Sequence, residues 1–144
     1  MSAVRRQALI DAPVDTVWEL VCDPARYPEW WPRVVEVSGQ RFEQGDEYVQ
    51  VTKRPVGSLQ TTMQIDKLDG LSEIGMTCQD TGAFARWRLT GAAKGTFVEV
   101  ELGMLPKGLV DRLSDGMIGR VYFKRWADES LDALRATLGG LPAP

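Results

Sequence analysis

The 144-residue sequence contains no histidine. Its absence removes the commonest general base near neutral pH and the commonest metal ligand, and it excludes hydrolysis by serine-histidine or cysteine-histidine pairs. Cysteine is nearly absent too: Cys22 and Cys78 lie far apart, with no second cysteine near either. That is the wrong pattern for a zinc site or a redox pair, so both are expected to be reduced and buried, and no metal is called for. Basic charge is not in excess, with 17 Lys and Arg against 20 Asp and Glu and a net charge of -3. No global positive field is available to hold a nucleic-acid backbone, and nucleic acid is not expected as a partner. No apolar run approaches the roughly 18 residues of a membrane span, and the opening Met1-Ser2-Ala3-Val4-Arg5-Arg6 lacks the apolar stretch of a secretion signal. A cytoplasmic protein is expected. No glycine-rich phosphate loop occurs either. Gly91-Ala92-Ala93-Lys94-Gly95-Thr96 joins two alternating segments without a Gly-Lys-Thr ending and reads as a hairpin turn.

What remains has globular proportions. A mass of 16.0 kDa, 44% hydrophobic and 26% charged residues suit one folded domain spanning residues 1–144. Residues 4–10 are a short strand candidate, and Asp11-Ala12-Pro13 is a helix entrance. Val14, Val17, Trp18 and Val21 recur at three- and four-residue steps, which places them on one face of a helix ending near Cys22. Asp23-Pro24 starts a second short helix with Asp23 as its cap. Pro28 and Pro32 bracket the aromatic run Tyr27-Pro28-Glu29-Trp30-Trp31-Pro32 and keep it brief.

From residue 34 to 104 the period becomes two, with turn formers at Gln44-Gly45-Asp46, Pro55-Val56-Gly57, Asp69-Gly70, Asp80-Thr81-Gly82 and Gly91 to Gly95, which predicts an antiparallel meander. Its last hairpin is the clearest. Ala85, Trp87 and Leu89 alternate with Arg86 and Arg88, and Val98, Val100 and Leu102 with Glu99 and Glu101. Arginines and glutamates are expected to pair across the outer face as structural ion pairs. On the strand of Tyr48, Gln50, Thr52 and Arg54, these polar residues share one face and Val49 and Val51 the other, so periodicity leaves open which set faces inward. After Leu105-Pro106 a helix is predicted to about Leu138, stopped by Gly139-Gly140, with Leu109, Leu113, Met117, Val121, Ala127, Leu131, Leu134 and Leu138 in one broad stripe on the sheet. Arg120 falls inside that stripe. It needs an internal carboxylate, backbone carbonyls or the acidic head of a ligand as a partner.

This element order resembles the helix-grip fold, an α+β architecture in which a curved antiparallel sheet of six or seven strands wraps a long C-terminal helix. Ile10-Asp11-Ala12-Pro13-Val14-Asp15-Thr16-Val17-Trp18, then Asp23-Pro24-Ala25-Arg26-Tyr27-Pro28-Glu29-Trp30-Trp31-Pro32, and later Gly95-Thr96-Phe97-Val98, resemble the superfamily of START lipid-transfer domains, polyketide cyclases and birch-pollen-allergen proteins. The resemblance covers essentially the whole chain but does not separate subfamilies. It implies a central apolar cavity between sheet and helix, because a curved sheet cannot touch a straight rod along its full length.

Small residues at Gly75, Ala83, Ala85, Thr61, Gly116 and Gly119 are candidates to leave that space, and Met63, Met76, Met104 and Met117 to wall it. The expected lining also includes Trp87, Leu89, Val98 and Val100 from the last hairpin, with Leu113, Arg120 and Val121 from the helix. By resemblance, Trp30 packs the small helices on the sheet and Trp31 borders the mouth, although either could be plain core. Two functions are expected in competition. The first is binding of a hydrophobic or aromatic small molecule, lipid or polyketide-like, in the cavity. The second is cyclisation or dehydration of a poly-ketone without any cofactor, with Arg120, Tyr48 and Arg54 as the catalytic candidates polarising carbonyls. The residues identify no ligand, and the oligomeric state stays open between monomer and homodimer.

Overall fold

A computed structural model describes residues 2–39, 42–54, 56–104 and 117–138; for Ser2 and residues 117–120 only the backbone is described. The chain runs β1 (Ser2–Ile10), α1 (Val14–Val21), a 3-10 turn (Pro24–Arg26), α2 (Tyr27–Trp30), then β2 (Val34–Ser38), β3 (Glu47–Lys53), β4 (Ser58–Asp69), β5 (Glu73–Cys78), β6 (Ala83–Ala92), β7 (Gly95–Met104) and finally α3 (Met117–Thr137). The predicted helical start after Leu105-Pro106, with Leu109 and Leu113, and the Gly139-Gly140 stop lie outside the described residues. At 1.5 Å per residue the 21 residues of α3 extend about 31 Å.

The strands form one antiparallel sheet in the order β1-β7-β6-β5-β4-β3-β2. It is a meander in which the first strand returns beside the last, and α3 lies across it, packed along β1 and β7. This is the helix-grip arrangement. Val17, Leu20 and Val21 are the buried face of α1, and the Asp23 carboxylate accepts the Ala25 N–H at 3.1 Å, capping the turn that follows.

Two local features fix the ends of the meander. Ala92 pairs with Gly95, so the hairpin turn predicted between Gly91 and Thr96 is a two-residue loop at Ala93-Lys94. Gly95 has φ +143°, and a Cβ there would sit 2.1 Å from the carbonyl oxygen of Ile10. Only glycine lets the last hairpin close this tightly on the end of β1. The adjoining Thr96 is fully buried, and its hydroxyl donates to the Ala12 carbonyl at 2.8 Å, tying the entrance of α1 to the same spot.

Inward faces follow from alternation: Ile10 on β1, Tyr48, Gln50 and Thr52 on β3, Thr61, Met63 and Ile65 on β4, Ile74, Met76 and Cys78 on β5, Ala85, Trp87 and Leu89 on β6, and Val98, Val100 and Leu102 on β7 are all buried. A bulge in β4 between Ile65 and Lys67 restores the phase, bringing Leu68 opposite Ile74. Gly75 corrects an expectation. It shares the outer face with Glu73 and Thr77, where a Cβ would meet the Asp66 carboxylate at 2.9 Å, so it opens no space inside.

On the outer face the expected ion pairs form with a different division of labour. Arg88 alone reaches Glu99 at 2.7 Å, Glu101 at 3.2 Å and Glu73 at 3.4 Å, and Arg5 takes the other oxygen of Glu101 at 3.3 Å. Arg86, opposite Glu101 in register, instead lays its guanidinium 5.6 Å from the Phe84 ring. The Gln7 amide donates to Glu99 at 3.0 Å, and that bond, outweighing partial burial and joined by Arg88, holds the Glu99 carboxyl below its ordinary range.

Replacing Gly95 by Ala is expected to destabilise the fold by more than about 1 kcal/mol in denaturant unfolding, whereas Ala at Gly70, where a Cβ meets nothing within 4 Å, stays within about 0.5 kcal/mol. Equal midpoints for the two variants would contradict the close approach. Because the folded-state value of Glu99 is lowered, its contribution to stability is complete above the ordinary glutamate range and disappears as pH falls through the lowered value. Acid titration of thermal stability is therefore expected to be shallower on the acid side in Glu99→Gln than in the parent.

Candidate ligand-binding interior

One end of the interior is filled by aromatic rings. Tyr27, Trp30 and Trp31 from the α2 segment meet Trp87 of β6 and Trp126 of α3. Trp30 and Trp31 stack at 5.9 Å, Trp31 and Trp126 stack at 5.5 Å, and Trp87 stands edge-on to both Trp30 and Trp31 at 5.4 Å. Hydrogen bonds lock the cluster. The Trp31 indole donates to the Ser130 hydroxyl at 2.7 Å, Ser130 donates onward to the Trp126 carbonyl, and the Trp126 indole donates to the Pro32 carbonyl at 2.6 Å. Tyr27 is fully buried, its hydroxyl donating to the Val21 carbonyl at 2.6 Å, and burial above all pushes its pKa far up. Trp31 is thus held in the core and is no rim residue.

The other end is different in kind. Tyr48, Met63 and Cys78 stand side by side across β3, β4 and β5, and Gln50 stands opposite Thr61. The polar set on β3 therefore faces inward, which settles what alternation left open. Tyr48 is 2% exposed and its hydroxyl has no hydrogen-bond partner among the described residues. Burial, with a smaller contribution from Cys78, pushes its pKa well above the usual phenol range, so it stays a protonated donor. The Gln50 amide donates to the Thr52 hydroxyl at 3.0 Å, while its carbonyl oxygen and the Trp30 and Trp87 indole N–H groups have no partner among the described residues. Met76, Ala85 and Leu102, in register across β5, β6 and β7, provide apolar wall beside them, with Met104 half-buried at the end of β7.

Several expected site residues fall elsewhere. Arg54 lies past the end of β3, where its N–H closes a turn on Gly57, and its side chain is exposed, so it does not join Tyr48. Val121 is 55% exposed because the buried face of α3 runs through Phe123, Trp126, Ala127, Ser130, Leu131 and Leu134, a phase that leaves Val121 outside. Leu113 and the side chains of Met117 and Arg120 lie outside the described residues. Leu89, Val98 and Val100 are buried on the inward face. Phe123, Trp126 and Ser130 escaped the sequence reading although their spacing of three and four was there to be found.

Among the described residues, no group of three or more His, Cys, Asp or Glu could hold a metal ion, and no helix is long and apolar enough to cross a membrane. A surface hollow of about 340 Å³ lies on the outer face between Gln7, Arg88, Thr90, Phe97, Val98 and Glu99. Its charged groups are already paired with one another.

The family model described as polyketide cyclase/dehydrase and lipid transport matches residues 1–139. The chain belongs to this family. Solved structures agree on the fold. A START superfamily protein from Mycobacterium smegmatis superposes with a TM-score of 0.76 at 14% identity, covering 95% of this chain and 97% of the other. An aromatase/cyclase from Streptomyces sp. R1128 gives 0.72 at 19% identity, covering 97% and 99%. A polyketide-cyclase-like protein from Corynebacterium glutamicum gives 0.61 at 19% identity, covering 94% and 88%. No curated protein matches the chain in sequence. For this polyketide cyclase/lipid-transport relative, fold is what such low identities establish.

Removing the Ser130 hydroxyl in Ser130→Ala leaves the buried Trp31 indole without its acceptor and is expected to cost about 1–3 kcal/mol of unfolding free energy. In the double variant with Trp31→Phe the two losses should be clearly less than additive in a thermodynamic cycle. Strict additivity would show that the bond does not couple α2 to α3.

Proposed function

We propose that the chain encloses a hydrophobic or aromatic small molecule, lipid-like or polyketide-like, between the inner face of the sheet and the C-terminal helix, and acts by holding it. The observation that carries this reading is the off-centre seat of α3. It packs along β1 and β7, while the inward side chains Met63, Ile65, Met76 and Ala85 belong to strands to one side of it. Membership of a family described by polyketide cyclisation and lipid transport supports the same reading. Hiding 300 Å² of apolar ligand surface at about 25 cal/mol per Å² supplies roughly 7 kcal/mol before ordering losses, enough for micromolar binding. Met63, Met76, Ala85, Leu102 and Met104 would line the site, and Trp87 would form its floor. Cys78 is buried as expected while Cys22, at the C-terminal end of α1, is only partly covered; both are free thiols, which fits work in the reducing cytoplasm.

A second reading, cofactor-free cyclisation or dehydration of a poly-ketone, draws on Tyr48, a buried neutral phenol able to polarise a carbonyl. Cyclisation also needs a group to remove a proton, and the inward faces of β3 to β7 carry no carboxylate, amine or imidazole. Binding is therefore the better-supported reading.

Native mass spectrometry of freshly purified protein is expected to show a co-purified small molecule, and the neutral probe N-phenyl-1-naphthylamine to bind with one site at micromolar concentration. Ala85→Phe, which intrudes beside Met76 and Leu102, should weaken the probe by about tenfold or more, equivalent to some 1.4 kcal/mol, while retaining a cooperative melt. A clean apo mass from several expression hosts together with no probe binding would remove the reading.

A further inference from the structure

The inner face of the sheet is chemically divided. On β5, β6 and β7 the inward buried side chains between Ile74 and Leu102 are apolar or sulfur-bearing except Thr96, whose hydroxyl is taken up by the Ala12 carbonyl, whereas β3 and the facing positions of β4 present Tyr48, Gln50, Thr52 and Thr61 in one patch. These four are buried, at 2, 4, 9 and 6% exposure. Two of them end in polar atoms that the described residues leave unmet, the Tyr48 hydroxyl and the Gln50 carbonyl oxygen. Thr61 is only weakly engaged, its hydroxyl lying 3.4 Å from the Gln50 backbone carbonyl and 3.7 Å from the Met63 sulfur.

Buried polar atoms are almost always satisfied in folded proteins, and an unmet one is destabilising. Tyr48 could have been phenylalanine at no loss of shape. We propose that the Tyr48–Gln50–Thr52–Thr61 patch is the recognition site for the oxygen-bearing end of a neutral ligand, with the Tyr48 hydroxyl donating to a carbonyl or ether oxygen while the apolar body lies against β5 to β7. The proposal rests on the interior being a ligand site, as argued above, and narrows the class of ligand. A plain hydrocarbon would leave Tyr48 unmet. Among the described residues the patch is lined by neutral side chains alone, beside which a buried carboxylate is a costly arrangement. The phenol stays protonated because burial disfavours its charged form, so the donor is present throughout the neutral range.

Three naphthalenes of matched shape test this: 2-acetylnaphthalene, its hydrocarbon isostere 2-isopropenylnaphthalene, and the anion 2-naphthoate, each titrated by tryptophan quenching against the parent and Tyr48→Phe. The variant is expected to weaken 2-acetylnaphthalene by roughly five- to tenfold, to change 2-isopropenylnaphthalene by less than about twofold, and to melt at the same or a higher temperature than the parent. Infrared spectroscopy of carbonyl-labelled 2-acetylnaphthalene should show the stretch lowered on binding to the parent and restored in the variant, and the parent measurement stands even if the variant does not fold. An unshifted carbonyl in the parent, equal loss of both neutral probes in Tyr48→Phe, or 2-naphthoate binding tightest would each overturn the assignment while leaving the interior a binding site. If the parent binds none of the three, the ligand-binding reading falls, and this assignment with it.

Discussion

The position of α3 depends on the aromatic cluster at one end of the interior. Five large rings from three elements meet there, and two of the indole N–H groups are fixed by hydrogen bonds that run between α3 and the α2 segment in both directions, Trp31 to Ser130 and Trp126 to Pro32. Ring contacts alone are non-directional to within tens of degrees, so they would let the helix roll. Paired donors and acceptors at defined heights do not. Arg33 reinforces the clasp. It adopts a left-handed backbone, φ +75°, a conformation that destabilises a non-glycine residue by about 1–3 kcal/mol. That strain is offset by the ion pair to Glu129 at 3.0 Å, by stacking over Tyr122 at 4.7 Å, and by the Lys53 N–H bonded to its carbonyl at 2.7 Å. The strained residue thus joins α2, β2, β3 and α3 at one point.

A helix clamped at that end rests on β1 and β7, to one side of the inner faces of β3 to β5. Strand register then decides what those faces offer. Because pairing sets Tyr48 beside Met63 and Met63 beside Cys78, a polar tip, a thioether and a thiol share one row. The next row holds Gln50 and Thr61. A one-residue slip of β3 would bring Val49 and Val51 inside and give an apolar interior throughout. The β4 bulge keeps the two ends of this long strand in phase with different neighbours, so the polar patch and the apolar seat of Leu68 against Ile74 coexist on one strand.

Much of this was legible in the residues. The order of elements, the turns, the Asp23 cap and the hairpin turn between Gly91 and Thr96 follow from local chemistry, where a proline, a glycine or a strict alternation has one low-energy solution. The orientation of β3 was not legible, because its two faces, Tyr-Gln-Thr and Val-Val, are each able to be buried, and only pairing with β4 chooses. The phase of α3 was misread at Val121 for a related reason. A stripe built on aliphatic residues passed over Trp126 and Ser130, whose polar atoms are accommodated only by partners from a distant segment. Arg54 failed as a site residue because β3 ends one position earlier, at Lys53, and the side chain leaves the pleat. Such errors occur where a tertiary partner, invisible along the chain, decides between two locally equal choices.

The two sides of the sheet treat polar groups in opposite ways, and the contrast bears on which side is functional. Outside, one arginine serves three carboxylates, a second arginine and a glutamine take up remaining carboxylate oxygens, and opposite charge is consumed within the protein. Such a network has little left to offer a ligand, and it loosens with salt as exposed pairs do. Inside, polar side chains are neutral, deeply buried and incompletely paired. Neutral groups can wait unpaired in a low-dielectric interior at moderate expense, where charged ones could not. A surface that must recognise an uncharged guest would be built from phenol, amide and indole groups, the types whose polar atoms the described interior leaves unsatisfied.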